Sequence, residues 1–277
     1  MTQHLNFSKY HGLGNDFIVI DGISQRIDMD KLRTLTPQFC ERHRGVGADG
    51  IVVLLESEEC DFKMVIFNQD GSEPEMCGNG VRCLTQFIYD KNLINSLVFS
   101  LETKAGTMLP AIIKKDGLFS AVEVDMGEPQ NDITIMEKGT ICYDKKITID
   151  SKSYDISCIS LGNPHAVMFV ENIDFVDASL GAKIESLFVN GINVEFVEII
   201  DEHRAKVKVW ERGVGYTLAC GTGACAVVVA GVTKNKLKRK SVIELPGGHL
   251  AIEWYKDTNK ILMTGPSVQV FEGHLIF

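Results

Sequence analysis

Short apolar runs, separated by polar and glycine-containing turns, follow one another along this chain. Runs of strand length predict a hairpin of two strands over 5–20 with its loop at 11–15, and further strands over 51–55, 62–67, 97–103, 107–114, 118–125, 146–159, 165–170, 193–199, 205–210, 242–245, 249–254 and 261–263. Longer stretches of small and apolar residues predict helices over 79–91, 180–188 and 222–233. Thr36-Pro37, a capping residue followed by proline, predicts one more short helix over 38–44. The pattern is that of a strand-rich α+β chain.

One of these patterns occurs twice, about half a chain apart. In each copy a short apolar run (63–67 and 207–210) leads into a polar, glycine-containing turn, a cysteine and a predicted helix. The cysteine phrase is CGNG at 77–80 in the first copy and CGTG at 220–223 in the second. The chain therefore reads as a duplicated unit with one thiol at a helix N-terminus in each copy.

The half-chain offset favours two domains over one, and 277 residues suffice for two hydrophobic cores. Turn residues at 126–129 end a predicted strand and mark the boundary, and a second crossing near Gly265-Pro266 would return the final strand to the first half. We expect an N-terminal domain of residues 1–125, completed by 266–277, that carries Cys77. Residues 126–265 would form a C-terminal domain that carries Cys220.

The net charge and the cysteine content limit which partners and which cellular compartment we expect. The net charge is −9, and the single basic cluster, at 234–240, is typical of a solvated helix end, so nucleic acid and anionic membrane are not expected as partners. No segment is long and apolar enough to span a bilayer, and residues 1–6 lack the pattern of a secretion signal. We expect a cytoplasmic protein whose eight cysteines are reduced.

The two repeated cysteines are the candidates for chemistry. A thiol at a helix N-terminus meets unpaired backbone N–H groups and the positive end of the helix dipole, which favour the thiolate and lower the thiol pKa below its usual ~8.5. We therefore predict reactive thiols at Cys77 and Cys220. Structural roles are predicted for the other cysteines, namely Cys40, Cys60, Cys83, Cys142, Cys158 and Cys225.

The residues around these cysteines suggest what the thiols act on. Glycine after each cysteine lets the main chain approach a ligand, and the N–H groups at a helix start bind a carboxylate. If the two helix starts face one another, one thiolate removes a proton from the carbon beside that carboxylate and the other thiol delivers a proton to the opposite face. The product is the mirror-image centre, and no cofactor is needed. His165 fits a structural role and a cleft role equally well, whereas the place of Glu211-Arg212 in the repeat favours contact with substrate.

Two other patterns are rejected as functional motifs. The glycine-rich segment 45–50 matches G-x-G-x-x-G, but it follows a predicted helix and precedes a strand, the reverse of the order in dinucleotide-binding folds. The cysteine pairs 77/83 and 220/225 have the wrong spacing for a zinc knuckle, and no histidine pair completes a four-ligand set. We expect no metal and no nucleotide cofactor.

Seven motifs, spread over nearly the whole chain, carry a family resemblance. They are HGLGNDF at 11–17, RGVGADG at 44–50, FNQDGSEPEMCGNGVRC at 67–83, GNPHAV at 162–167, NVEFV at 193–197, WERGVGYTLACGTGACA at 210–226 and LPGG at 245–248. With them the chain resembles the diaminopimelate epimerases, which interconvert LL- and meso-diaminopimelate without a cofactor in lysine and peptidoglycan precursor synthesis. The resemblance implies two pseudo-symmetric, strand-rich, barrel-like domains, each around a central helix, and a homodimer.

The resemblance also assigns roles to residues. It makes Cys77 and Cys220 the acid/base pair and implies that His165 and Glu211 adjust the thiols. The carboxylate at the reacting carbon would be bound by backbone amides at Gly78, Asn79, Gly221 and Thr222. The rest of the substrate would be held by polar side chains, namely Asn15, Asn68, Asn163, Asn193, Glu211 and Arg212. Two departures are Gly50, where many relatives carry a glutamine, and Phe271, where some carry a tyrosine at the dimer contact.

Three alternatives stay open at the level of sequence. Racemisation of proline or hydroxyproline would use the same two thiols, although Glu211-Arg212 and the asparagines favour a long zwitterionic substrate. A thiol oxidoreductase would join Cys77 and Cys220 in a disulfide, but neither cysteine belongs to a C-x-x-C motif. A non-catalytic amino-acid-binding protein would keep its affinity when either cysteine becomes serine.

Overall fold

The computed structural model describes residues 4–74, 77–129 and 144–276. The chain forms two compact units, Met1–Val124 with Gly265–Phe277 and Asp125–Thr264, called unit 1 and unit 2 below. The boundaries expected from the sequence differ from these by one residue, and the assignment of two folding domains stays a prediction. Among the described residues, no helix has both the length and the apolar character needed to cross a membrane.

Strands dominate both units, and the predicted strand-rich α+β class is confirmed. The elements of unit 1 are β1 (His4–Gly12), β2 (Asn15–Asp21), α1 (Met29–Cys40), β3 (Gly50–Leu55), β4 (Phe62–Asn68), α2 (Gly78–Asp90), β5 (Leu101–Thr103), β6 (Gly106–Met108), β7 (Ala111–Lys115), β8 (Leu118–Asp125) and, at the end of the chain, β18 (Val268–Ile276). Those of unit 2 are β9 (Asp144–Ile149), β10 (Lys152–Ser160), β11 (Pro164–Val170), a 3-10 turn (Ile173–Phe175), α3 (Leu180–Glu185), β12 (Asn193–Asp201), β13 (Arg204–Glu211), β14 (Gly215–Thr217), α4 (Gly221–Thr233), β15 (Lys240–Leu245), β16 (Gly248–Trp254) and β17 (Ile261–Gly265).

Unit 1 is built on a sheet with the strand order β18-β1-β2-β3-β4-β5-β6. Helix α2 packs on β1, β2 and β18, because its apolar side chains recur every three or four residues and form one buried face: Val81, Cys83, Leu84, Phe87 and Ile88. Helix α1 contributes Leu32 and Phe39 to a core that includes Ile18, Ile20 and Ile51 of the sheet. The packing fixes the axis of α2 and therefore the position of the cysteine at its start.

Unit 2 has the strand order β17-β16-β15-β13-β12-β11-β10-β9, and β14 pairs with β13. Helix α4 is built almost entirely from alanine, valine and glycine, and nine of its residues are buried. A helix that is apolar on every side is stable only when it is surrounded. Strands β10, β11, β12, β15 and β16 all contact α4, so α4 is the central helix of this unit.

Three sequence predictions about elements are wrong. Helix α1 begins at Met29 instead of after Thr36, because Asp28 caps it by accepting a hydrogen bond from the Lys31 amide at 3.0 Å, and Pro37 lies within the helix. The strand predicted over 146–159 is a hairpin, since Asp150 and Ser151 adopt positive φ angles of 50° and 64° and reverse the chain. The strand predicted over 107–114 is likewise divided between β6 and β7.

Candidate active site

Cys77 is the N-cap residue of α2. Its backbone is extended, with φ −143° and ψ 104°, and its sulfur accepts a hydrogen bond from the Gly80 amide at 3.4 Å. Its carbonyl accepts the first helical hydrogen bond, from Val81, at 2.9 Å. The prediction that this cysteine lies at a helix N-terminus is confirmed.

Cys220 caps α4 with nearly the same geometry. Its φ is −130° and its ψ is 113°, the Gly223 amide donates to its sulfur at 3.4 Å, and the Ala224 amide donates to its carbonyl at 3.0 Å. The repeated sequence phrase therefore encodes a repeated backbone in which the sulfur takes the place of a capping oxygen.

The polar residues around Cys77 form a hydrogen-bonded chain that we call the Cys77 half-site (Asn15, Cys77, Asn79 and Arg82). Asn15 Oδ1 accepts from Asn79 Nδ2 at 2.9 Å and lies 4.0 Å from the Cys77 sulfur. Asn79 Oδ1 in turn accepts from Arg82 Nη2 at 2.7 Å. Arg82 is fully buried, so the inner end of this chain is a guanidinium. Arg82 was missed by the sequence interpretation, although an arginine inside an apolar helix face was a visible signal.

Asn15 is held in place by an ionic network at the start of β2. Its Nδ2 donates to Asp49 at 2.8 Å, and Asp49 and Asp16 both pair with Arg42, at 2.7 Å and 2.8 Å. Asp16 also pairs with the buried Lys9 at 2.7 Å. Burial raises the pKa of Asp16, but hydrogen bonds from Arg42 and Lys9 outweigh it and lower that pKa to about 2.

The residues around Cys220 form a second hydrogen-bonded chain, the Cys220 half-site (Asn163, His165, Glu195, Cys220 and Thr222). His165 is fully buried; its Nε2 lies 3.0 Å from Asn163 Oδ1, and Asn163 Nδ2 donates to Thr222 Oγ1 at 3.2 Å. Thr222 Oγ1 lies 3.5 Å from the Cys220 sulfur. The structure therefore joins three predicted residues to this thiol.

Glu195 completes the Cys220 half-site and was missed by the sequence interpretation. Its carboxylate accepts from His165 Nδ1 at 2.6 Å, and its side chain is fully buried. The signal was present in the motif NVEFV, because a charged residue inside an otherwise apolar strand is stable only with a partner. The inner end of this chain is thus a carboxylate.

The electrostatics of Cys220 correct one expectation. The pKa of this thiol is raised well above its ordinary value, first by burial and then by the negative charges of Glu211 and Glu195. Hydrogen bonds from Thr222 and the Gly223 amide lower the pKa, but they are too weak to reverse the effect of burial. A helix N-terminus does not by itself produce a thiolate here. Cys220 holds its proton and is suited to act as an acid.

The remaining predicted substrate-binding residues lie at strand ends. Asn193 donates to Pro164 O at 3.0 Å and accepts from the Arg212 amide at 3.0 Å, so it joins β12 to the end of β13. Arg212 Nη1 donates to Asn190 O at 3.3 Å. Glu211 accepts from Thr217 Oγ1 at 2.5 Å.

Two further positions from the sequence analysis, Gly50 and Asn68, lie at the start of β3 and the end of β4. Asn68, in unit 1, is exposed and donates to Ser72 Oγ at 3.0 Å. At Gly50 a Cβ atom would lie 2.4 Å from the carbonyl oxygen of Phe67, so a side chain does not fit there. The absence of a glutamine at that position therefore has a steric reason. The roles of all these residues toward a substrate stay predictions.

Gly78 and Gly221 provide the first amide of each helix. A Cβ at Gly221 would approach Met263 Sδ to 2.9 Å, so the Met263 side chain would have to shift to admit a larger residue. The amides of the first helical turn have no acceptor within the helix, and they point outward from its N-terminus. Both half-sites therefore offer amide donors beside a thiol, the arrangement that binds a carboxylate.

The structure leaves the other cysteines in structural roles where it describes them. Cys40, Cys83, Cys158 and Cys225 are buried and Cys60 is half-buried, and none of these five forms a disulfide; Cys142 lies outside the described residues. Burial raises the pKa of Cys40 to about 12.

One cluster in the described part of the chain has donor atoms of the kinds that bind metals. His165, Glu195 and Cys220 each offer one ligand atom, and these atoms lie within 4.8 Å of one another. Three donors are one fewer than a closed zinc site uses, and two of them are already joined by a hydrogen bond. The expectation that the protein uses no metal stays a prediction.

Comparison with known proteins identifies the family. The family model described as diaminopimelate epimerase matches residues 7–131 and 157–270. A diaminopimelate epimerase of Acetivibrio thermocellus is 44% identical over 277 residues, covering 98% of both chains. A diaminopimelate epimerase of Methanococcus maripaludis is 44% identical, covering 98% of this chain and 99% of its own.

The fold is shared more widely than the sequence. A crystal structure of a hydroxyproline epimerase from Agrobacterium vitis, with bound trans-4-hydroxy-L-proline, matches with a TM-score of 0.72 at 16% identity, covering 99% of this chain and 93% of that one. This likeness bears out the fold expected from the resemblance, and its low identity carries no statement about substrate. By the family model and the relatives of similar length, the chain belongs to the diaminopimelate epimerase family.

Proposed function

We propose that this protein interconverts LL- and meso-diaminopimelate by cofactor-independent proton transfer at the α-carbon, between the thiols of Cys77 and Cys220. Membership of the family supports the substrate. The proton-transfer mechanism is supported by one observation, that both cysteines cap a helix. Each sulfur lies at a helix start and accepts a hydrogen bond from an amide of the first turn. The mechanism requires that both sulfur atoms reach one α-carbon, from opposite faces.

The proposed mechanism requires the two thiols to begin the reaction in different protonation states. Cys220 enters as the acid because burial, Glu211 and Glu195 raise its pKa, so Cys77 acts as the base on the isomer that this form binds. After one turnover the protons are exchanged, and the opposite isomer fits the resulting form. An unequal pair suits the chemistry, since a base and an acid must be present together.

The barrier is large, and the helix starts offset much of it. The α-proton of an amino acid is roughly a dozen pK units less acidic than a thiol, about 16 kcal/mol at 1.36 kcal/mol per unit. Each well-aimed amide donor contributes about 3–4 kcal/mol to a developing oxyanion. Gly78, Asn79, Gly221 and Thr222 supply the amides in this proposal, and exclusion of water strengthens their effect.

The far end of diaminopimelate carries a second amino acid group that does not react. We assign its recognition to Asn15, Asn68, Asn163, Asn193, Glu211 and Arg212. Arg212 and Glu211 supply the opposite charges that an ammonium and a carboxylate require. The link from Asn193 to the Arg212 amide, at 3.0 Å, supports a shared role for these two residues.

The experiment is a solvent-exchange assay with reduced, purified protein and no added cofactor. In deuterated water, deuterium should enter the α-position of LL- and meso-diaminopimelate, and either isomer should yield the same final mixture. The same assay with proline and hydroxyproline tests the rival activity. Exchange into proline but not into diaminopimelate would replace the proposal by proline racemisation, and no exchange into any of them would refute both.

A homodimer is part of the proposal. Strand β18 pairs with β1 on one side and ends the described sheet of unit 1, and it exposes apolar side chains, among them Val268, Val270 and Phe271. An apolar edge strand favours association with a second copy. Light scattering should give twice the chain mass for the wild type and a lower mass for Val270→Glu. A monomeric wild type would refute the dimer.

Cytoplasmic location is the last part of the proposal. The two thiols must stay reduced to act as base and acid, and the cytosol keeps thiols reduced. Cell fractionation with an antibody against the protein checks this location, and recovery from an oxidising compartment would contradict it.

A further inference from the structure

Glu195 is a buried carboxylate whose hydrogen bond to His165 has so far been given no role. It lies in the middle of β12 beside Val167 of β11 and Val209 of β13, among apolar neighbours, and it is fully buried. One oxygen accepts from His165 Nδ1 at 2.6 Å, and the other, Oε2, has no hydrogen-bond partner among the described residues. A buried carboxylate with one oxygen unpaired costs stability, so its presence here requires an explanation.

The first turn of α4 is shaped to admit this carboxylate. A Cβ atom at Gly223 would lie 2.6 Å from Glu195 Oε1 and 3.3 Å from the Cys220 sulfur. Glycine at 223 therefore lets the carboxylate lie against the helix start, where the positive end of the dipole favours a negative charge.

The hydrogen bonds from His165 to Cys220 run in one direction. Both atoms that face the ring are acceptors, the Glu195 carboxylate at Nδ1 and Asn163 Oδ1 at Nε2, so His165 donates a hydrogen bond from each ring nitrogen and the ring is fixed. Asn163 Nδ2 then donates to Thr222 Oγ1, which leaves the Thr222 hydroxyl proton for the Cys220 sulfur. An imidazole that turned, or an amide that reversed, would take that proton away from the sulfur.

We infer that Glu195 is a positioning residue: it fixes the ring of His165 and thereby directs the Asn163–Thr222 chain to donate a hydrogen bond to Cys220. The inference rests on the proposed function only in that Cys220 is an acid/base thiol. Glu195 does not touch the substrate. Its effect passes through four hydrogen bonds within unit 2.

The test compares Glu195→Gln and Glu195→Leu with Glu198→Gln, a control on the same strand whose carboxylate only accepts from the Ile173 amide. Glutamine keeps the shape and one acceptor but removes the charge, and leucine removes both. We expect kcat to fall roughly 10- to 100-fold, the scale seen when the partner that orients a histidine is removed, and more for leucine than for glutamine. KM should change less than twofold, and Glu198→Gln should match the wild type.

A double-mutant cycle with Thr222→Ala tests the path. If Glu195 acts through Thr222, the fold-losses of Glu195→Gln and Thr222→Ala will not multiply, because the second change removes a chain that is already broken. Losses that multiply would overturn the inference, and so would an unchanged kcat in Glu195→Gln.

Proton NMR of ¹⁵N-histidine-labelled protein gives a readout that needs no turnover. The His165 Nδ1 proton should appear far downfield in the wild type, vanish in His165→Gln and move upfield in Glu195→Gln. Should Glu195→Gln not fold, the wild-type spectrum decides, and absence of the downfield proton overturns the inference. The exchange assay on the wild type separates the two proposals: an inactive wild type refutes the function, whereas an active wild type with an active Glu195→Gln refutes only the positioning role.

Discussion

The two half-sites share a backbone and differ in the charge that supports them. Both thiols cap a helix and accept from the amide three residues later at 3.4 Å. The chain behind Cys77 ends in the buried Arg82 guanidinium, whereas the chain behind Cys220 ends in the buried Glu195 carboxylate. The repeated motif thus sets where the sulfur lies. Residues outside the motif set the charge behind each sulfur, and in the proposed mechanism this difference would let a duplicated unit supply one acid and one base.

The largest expected effect tests whether both thiols are needed. Cys77→Ser and Cys220→Ser should each reduce epimerisation by about 10³-fold or more, since a hydroxyl is a far weaker base and general acid–base catalysis is worth 10²–10⁴-fold. The rates at which LL-diaminopimelate is converted to the meso isomer, and the meso isomer to LL-diaminopimelate, check this. Cys60→Ser, at a half-buried cysteine outside both half-sites, is the control and should retain full activity. Full activity in either capping variant would remove that thiol from the mechanism.

A matched pair of glycines distinguishes the two helix starts. At Gly80 a Cβ would lie 3.1 Å from Ile66 Cδ1 and 3.6 Å from the Cys77 sulfur, whereas at Gly223 it would lie 2.6 Å from Glu195 Oε1. Gly223→Ala should lose about 1–3 kcal/mol of unfolding free energy and at least tenfold in kcat, because it displaces a buried carboxylate from its partner. Gly80→Ala should stay within about 1 kcal/mol of the wild type, since alanine favours the helix. Unfolding free energies from denaturant titration and kcat values should be measured for both variants. Equal losses in the two variants would mean that the half-sites do not differ in this way.

The ionic support of Asn15 belongs to the Cys77 side and is sensitive to acid. The folded-state pKa of Asp16, about 2, lies below the ordinary value of 3.8, so its contribution is present above pH 4 and is lost as the pH falls through 2. At 1.36 kcal/mol per unit this amounts to about 2 kcal/mol. Unfolding free energies measured between pH 5 and pH 2 should fall by that much more in the wild type than in Asp16→Asn. Parallel curves would show that the ion pairs contribute nothing.

The smallest expected effect sharpens the acidity of Cys220. Glu211 raises the pKa of this thiol by its charge, so Glu211→Gln should lower that pKa and increase the thiolate fraction at any pH below it. Alkylation of Cys220 by iodoacetamide, followed by peptide mass spectrometry at pH 8, should become severalfold faster. Alkylation of Cys77 in the same sample is the internal control and should not change. A slower reaction at Cys220 would contradict the assigned sign.

Local signals predicted the thiols well and their surroundings poorly. The two capping cysteines follow from the CGNG and CGTG phrases because a helix start depends on residues close in sequence. Glu195 and His165 are 30 residues apart in sequence, so their contact depends on the pairing of β11 with β12. The direction of the Cys220 pKa was wrong for the same reason, because burial by the surrounding strands outweighs the helix dipole and leaves no local trace.

The wrong predictions of helix and strand boundaries each have an identifiable cause. Asp28 and Thr36-Pro37 are both good helix starts, and the earlier one wins because it brings Leu32 into the core of unit 1. The run 146–159 lacks glycine and proline, yet Asp150 and Ser151 take positive φ angles and form the turn. Such angles cost little for Asp in a turn, so the sequence carries only a weak signal of them.

Because β18 is the last strand to be synthesised, the residues of unit 1 are complete only after those of unit 2. Unit 2 is one continuous stretch, Asp125–Thr264, so all of its residues are synthesised before those of β18. The sheet of unit 1 lacks the outer neighbour of β1 until residues 268–276 have been made, after all of unit 2. At roughly 5–20 residues per second, β1 waits about 10–50 s with an open edge. A chain that ends before residue 265 and has been released from the ribosome should therefore present a protease-resistant Cys220 unit joined to a protease-sensitive Cys77 unit.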